Sequence, residues 1–121
     1  MHPTHVSWMF ELTVRDGREA ELRALMAEMV QATMENEPGT LEYEWHLDDA
    51  GRRVHLWERY VDNAAAMTHT RTFGKRFAAR FFEYMHPERI TLYGPAGEDL
   101  RAAMAELRPP VMTHVAGFTR R

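Results

Sequence analysis

Apolar and polar side chains alternate strictly from Val6 to Val14. Val6, Trp8, Phe10, Leu12 and Val14 share one face, and Ser7, Met9, Glu11 and Thr13 the other. A period of two marks a half-buried strand, and Asp16-Gly17 ends it. The period then lengthens. Between Asp16 and Asn36, the residues Leu22, Leu25, Met26, Met29, Val30 and Thr33 fall on one stripe of a helix. Asp16 has Glu19 three residues on, the spacing of a capping box, so Asp16 is expected as the N-cap. The helix should stop at Asn36, because the residue before Pro38 resists the helical region, and Pro38-Gly39 makes a turn.

Glu37 to Asp62 carries the strongest local pattern of the chain, a β-hairpin. Leu41, Tyr43, Trp45 and Leu47 alternate with Glu42, Glu44 and His46, and Asp48 to Gly51 form the connection. The return strand places Val54, Leu56, Glu58 and Tyr60 on one face and His55, Trp57 and Arg59 on the other. Asp62 reads as the N-cap of a helix from Asn63 to about Arg71, with a kinked restart at Thr72. Phe73, Phe77, Phe81 and Met85 follow at four-residue spacing, and His86-Pro87 should end that run. A short strand, Ile90 to Tyr93, is stopped by Gly94-Pro95. A helix from Gly97 to Leu107 is stopped by Pro109-Pro110, and a last extended segment runs from Val111 to Thr119.

The order β-α-β-β-α-β, followed by an extra α-β, predicts an α+β fold of the ferredoxin-like, split βαβ kind. Its antiparallel sheet would carry both helices on one face. We expect one domain over residues 1–121, with a core at about 6–94 and a C-terminal α-β extension at about 95–121. The return strand is bulky on both sides, with Leu56 and Tyr60 on one and Trp57 and Arg59 on the other. The second face of the sheet therefore needs a cover, and a homodimer that stacks two sheets is the simplest. The last strand would cover its own subunit or reach the partner.

Composition narrows the chemistry. There are no cysteines, which removes disulfides, thiolate catalysis and cysteine-based zinc sites. A formal net charge of -3 supplies no basic face for nucleic acid. No apolar run approaches the roughly 20 residues that span a bilayer, and no signal pattern opens the chain. The expectation is a cytoplasmic protein with neither a membrane nor a nucleic-acid partner. GxGxxG, Walker, nucleophile-elbow and HExxH patterns are all missing, so no cofactor and no metal is expected. His2 and His5 are a conceivable metal pair, but a loose terminus is the simpler account.

The run EPGTLEYEWHLDDAGRRVHLWERYVDNAAAMTHTRTFGKRF resembles the antibiotic biosynthesis monooxygenase (ABM) domain family, a branch of the dimeric α+β barrel proteins. The resemblance rests on Glu37-Pro38-Gly39, the strand Leu41 to Leu47, the run Leu56 to Tyr60, His69 ahead of Phe73, and the element order along Val6 to Tyr93. It implies a homodimer whose sheets face each other, with a ligand cavity between helices and sheet in each subunit. Members with known activity include cofactor-independent oxygenases of phenolic or quinol substrates, and haem-degrading enzymes. Where the aromatic polyketide oxygenases carry Asn and Trp on the third strand, this chain has Leu56 and Tyr60. Where the haem-degrading branch has a helical His, it has Phe77.

Three residues are the candidate catalytic set: His69, Glu58 and Tyr60. A neutral imidazole at His69 could accept a phenolic proton, although it could equally just hydrogen-bond a neighbour. Glu58 lies mid-strand on the helix-facing side, so it must be paired or carry a raised pKa. It would orient His69, bind substrate, or form an ion pair with an arginine. Tyr60 offers a hydroxyl to the same cavity. Trp8, Phe10, Leu56, Phe73 and Phe77 are expected to line a slot for a flat substrate, although phenylalanines at helical spacing also read as plain core. Trp57 and Arg59 belong to the partner-facing side. The expected function is cofactor-independent monooxygenation of a phenolic, quinol or polyketide-like aromatic substrate. The alternative is a non-catalytic dimeric barrel that binds a small hydrophobic molecule.

Overall fold

A computed structural model describes residues 3–120, and His2 lies outside the described residues. β1 (Val6–Val14) holds the centre of the sheet. It pairs antiparallel with β3 (Arg53–Tyr60) on one side and with β4 (Met85–Tyr93) on the other. β2 (Thr40–Leu47) pairs antiparallel with β3, and the two-residue β5 (Val111–Met112) runs parallel to β4. The strand order is therefore β2-β3-β1-β4-β5, the ferredoxin-like arrangement with one strand added.

One face of the sheet is apolar because each strand presents its alternate large residues there. Val6, Trp8, Phe10, Leu12, Val54, Leu56, Tyr60, Ile90 and Leu92 are all buried on it. α1 (Glu19–Asn36), α2 (Asn63–Arg76) and α3 (Ala78–Tyr84) cover this face, and Leu22, Leu25, Met29 and Phe81 join the same core. A bidentate pair between Arg80 and Glu28, at 2.8 and 2.9 Å, ties α3 to α1. α4 (Glu98–Ala103) and a 3-10 turn (Ala105–Leu107) follow, with Leu100 and Met104 packed inward. No helix among the described residues is long and apolar enough to cross a membrane.

Several boundaries differ from expectation for identifiable reasons. α1 begins at Glu19 with Arg18 as a residue that makes no side-chain cap. Gly17, at φ +75°, turns the chain in the left-handed region and separates Asp16 from the helix. Asp16 instead lies 3.6 Å from Arg52 at the surface, and the Arg18–Glu21 pair supplies charge at the helix start. On the buried stripe Ala32 takes the place of Val30, which is exposed. Leu41 is also exposed, because the β2–β3 register shifts between Thr40 and Glu42 and rolls it outward.

The helix after the hairpin does not restart at Thr72. α2 continues to Arg76 and breaks at Phe77, whose φ of -123° and ψ of -24° leave the helical range. His86-Pro87 does not end a helix either, since β4 starts at Met85 and contains both residues. The proline is tolerated for two reasons. The register with β1 shifts beside it, between Glu11 and Leu12, and β5 flanks β4 only at Leu92 and Tyr93, so Pro87 sits at an open edge. The extension is shorter than the pattern suggested. α4 ends at Ala103, the last strand is two residues long, and beyond it Val115 and Phe118 are 90% and 76% exposed. That tail does not cover the sheet of its own chain.

The second face of the sheet is partly open. Trp57 lies across Tyr93 with ring centroids 6.0 Å apart and donates its indole N–H to Glu42 at 2.8 Å. The Arg59 guanidinium sits 5.8 Å over the Trp57 ring and 3.4 Å from Glu42.

Candidate functional site

Three elements deliver side chains to one buried point. β3 turns Leu56, Glu58 and Tyr60 inward by its alternation. α2, capped where Asp62 accepts the Ala65 N–H at 2.9 Å, places Ala66, His69, Thr70 and Phe73 at helical spacing along the side that meets the sheet. The third is the end of α1. Pro38 stops that helix, Glu37 leaves it with extended geometry, and the Glu37 side chain folds back under α2. Close approach at Gly39 permits this. A Cβ on Gly39 would sit 2.6 Å from the Ala65 Cβ, so only glycine lets α2 rest against the turn.

The result is an imidazole between two carboxylates. His69 Nδ1 is 2.8 Å from Glu37 Oε1, and His69 Nε2 is 3.2 Å from Glu58 Oε1. Glu37, Glu58 and His69 are all buried. The Tyr60 hydroxyl donates to the same Glu58 oxygen, Oε1, and Thr40 donates to Glu37 Oε1. Both of these contacts of Glu58 thus fall on Oε1. Burial alone would push the His69 imidazolium down. The facing carboxylates, Glu58 above all, outweigh that and raise its pKa to about 9. Burial, reinforced by the Glu58 charge, pushes the Tyr60 and Tyr43 hydroxyls well above the ordinary tyrosine value. At neutral pH the ring between the two carboxyl groups is therefore protonated, and both tyrosines keep their protons.

This cluster forms the polar wall of a cavity of about 190 Å³. Trp8, Phe10, Leu56 and Phe73 line it as expected, and Glu58 and His69 open onto it. Two expected residues do not. Tyr60 is fully buried behind Glu58, so its hydroxyl acts on the carboxylate and not on the cavity. Phe77 is buried in the core under the Arg76 and Arg80 guanidinium groups, at 5.0 and 5.7 Å. The helix break at Phe77 is the cause, because it changes the phase of the stripe and brings Phe81 round to meet Phe73 at 4.9 Å, edge to face. Phe81 and Phe82 are thus wall residues, with Tyr43 opposite and Met104 and Leu107 of the extension at the other side. Glu58 pairs with His69 and Tyr60, not with the arginine that was one of its expected partners. Among the described residues, no group of three or more His, Cys, Asp or Glu side chains is arranged to hold a metal ion.

Glu37 was not legible as a site residue. It precedes Pro-Gly, reads as part of a turn, and lies 32 residues from its partner. Tyr43 carried a weak signal, as an inward aromatic of β2 on the same face as Trp45. The hydroxyl of Tyr43 and the indole N–H of Trp45 are buried without a well-formed hydrogen-bond partner.

Comparison with known proteins bears on this geometry. The sequence model described as antibiotic biosynthesis monooxygenase matches residues 6–79. MupZ from Pseudomonas fluorescens is similar over 97% of this chain and 95% of its own, with 22% identity and a TM-score of 0.83. A protein of Caulobacter crescentus, provisionally named an antibiotic biosynthesis monooxygenase, is 20% identical over 78% of this chain and 92% of its own, with a TM-score of 0.68. A protein of Nitrosomonas europaea with the same provisional name is 16% identical over 80% of this chain and 98% of its own, with a TM-score of 0.67. At these identities the likeness to solved structures is one of fold. No curated protein matches the sequence.

Proposed function

The chain belongs to the antibiotic biosynthesis monooxygenase family, and from that premise we propose that it is a cofactor-independent monooxygenase of a small phenolic or quinol substrate. The observation that carries this reading is the buried Glu58 carboxyl group in the wall of an apolar cavity, backed by His69. Both ring nitrogens of His69 face carboxylates, so the substrate hydroxyl meets Glu58 and the proton passes through Glu58 to the imidazole. His69 is thus the proton reservoir, and Tyr60 steadies the carboxylate. The substrate anion, held away from water by Trp8, Phe73 and Phe81, passes electrons to dioxygen. One oxygen atom replaces the hydrogens of a ring carbon as a carbonyl, and the other leaves as water. An apolar cavity of about 150 Å³ takes up a benzene ring, so about 190 Å³ favours a substrate of one substituted ring.

Oxygen uptake with a panel of one-ring quinols and phenols tests this. Consumption by the wild type is expected to fall by roughly 100-fold or more in His69→Ala and Glu58→Gln, the scale of general-base catalysis. Uptake no greater than the His69→Ala control would sink the proposal. Product formed without oxygen consumption would keep the proton-transfer role and remove the oxygenation. The predominantly apolar lining also favours a second reading, a binding protein without turnover, which thermal stabilisation by apolar ligands in the absence of any product would support. In either case we infer that a second copy covers the open sheet face around Trp57 and Arg59.

A further inference from the structure

The charge of the cavity carries a consequence for its ligand. A single imidazolium at His69 is set against two buried carboxylates, Glu37 at 2.8 Å and Glu58 at 3.2 Å. Acidic groups therefore outnumber basic ones by one in a place that water barely reaches. The rest of the wall does nothing to offset this. Among the described residues no lysine or arginine lines the cavity, and the other carboxyl group on the wall, that of Glu106, is a further acid. The nearby Arg80 is committed to Glu28. The wall offers instead an acceptor, the Glu58 carboxyl group, together with the aromatic rings of Trp8, Tyr43, Phe73 and Phe81, whose faces suit a ring or a cation. Without Glu37 one carboxyl group would face one imidazole, and the acidic excess of the centre would be gone.

We propose that Glu37 sets the charge of the cavity and thereby its ligand class: a one-ring hydrophobic molecule whose polar group donates a hydrogen bond, as a phenol or a protonated amine does, with carboxylates, sulfonates and phosphates rejected. This rests on the cavity being the ligand site, as in the function proposed above, but it does not depend on oxygen chemistry. It is tested by calorimetric binding at pH 6.0 under nitrogen, so that no turnover intervenes. Three probes of one shape are used: p-cresol, 4-methylbenzylamine and 4-methylbenzoate. The wild type is expected to bind the first two, and to bind the benzoate on the order of 100-fold more weakly than the cresol. Glu37→Gln keeps the shape and the acceptor for His69 Nδ1. It should shrink the cresol-to-benzoate ratio roughly tenfold or more, whereas Glu37→Asp should retain it. A wild type that takes the benzoate as tightly as the cresol, or that binds none of the probes, overturns the proposal even if the variants fail to fold. A folded Glu37→Gln with unchanged selectivity overturns it as well. Selective binding with no oxygen uptake on any substrate would leave this inference standing and remove the monooxygenase.

Discussion

His69 carries opposite demands on one proton. Its pKa is about 9 in the folded protein against the ordinary histidine value of 6.5, so folding favours the protonated ring. The associated stabilisation is fully present below pH 6.5 and is lost as pH rises through 9, by about 3 kcal/mol at most. Turnover in the proposed mechanism needs the ring unprotonated, which at pH 7 holds for about one molecule in a hundred. Activity should therefore climb roughly tenfold per pH unit up to about 9 while the melting temperature falls over the same range. A pH–rate profile and a melting series, each compared with His69→Gln, check the two halves. A melting temperature in the wild type that tracks the variant across pH 7 to 10 would remove the linkage. At this scale Glu58 was legible because the strand period points it inward, and His69 because the family resemblance singles it out. Glu37 was not, since nothing in a Glu-Pro-Gly turn says that its carboxylate is folded under a helix 30 residues on. Tyr60 was placed on the correct face but one layer too near the cavity, because alternation fixes direction and says nothing about depth.

Elements meet at close tolerances where the site is made. Gly39 lies against Ala65, and a methyl group there would overlap the first turn of α2. Gly39→Ala is expected to cost about 1–3 kcal/mol and to push α2, with His69, away from Glu37. Denaturant titration measures the first effect, and a drop in the His69 titration midpoint by NMR measures the second. An unchanged midpoint would separate the turn from the site. Element boundaries were readable where a period switched cleanly. β1 spans Val6 to Val14 as its alternation indicates, and Asp62 caps α2 as its position indicates. They were unreadable where an exception was decided by distant contacts. Pro87 is allowed inside β4 by an open edge and a shifted register, and Leu41 turns outward at another shift. Neither is visible in local sequence.

For the whole molecule, one covered face and one half-covered face remain. On the second face Trp57, Tyr93 and Arg59 pack on one another and stay half-buried. The proposed second copy would bury them. Light scattering should then give about twice the 14.1 kDa chain mass, and a stable species of single mass would contradict it. The exposed tail with Val115 and Phe118 was expected to be a strand, since its apolar residues suggested one. Only Val111 and Met112 find a partner, in β4.

The break at Phe77 bears on how anything enters the protein. The outer wall of the cavity consists of two rods joined at one residue, with Phe73 on the first and Phe81 on the second. α3 begins afresh at Ala78, so its first-turn amides lack intrahelical acceptors, and parting the two rods there severs no ladder of the sheet. Any guest molecule passing there would have to displace the buried Phe77 and part the Arg80–Glu28 pair, and could do so with every strand of the sheet still paired.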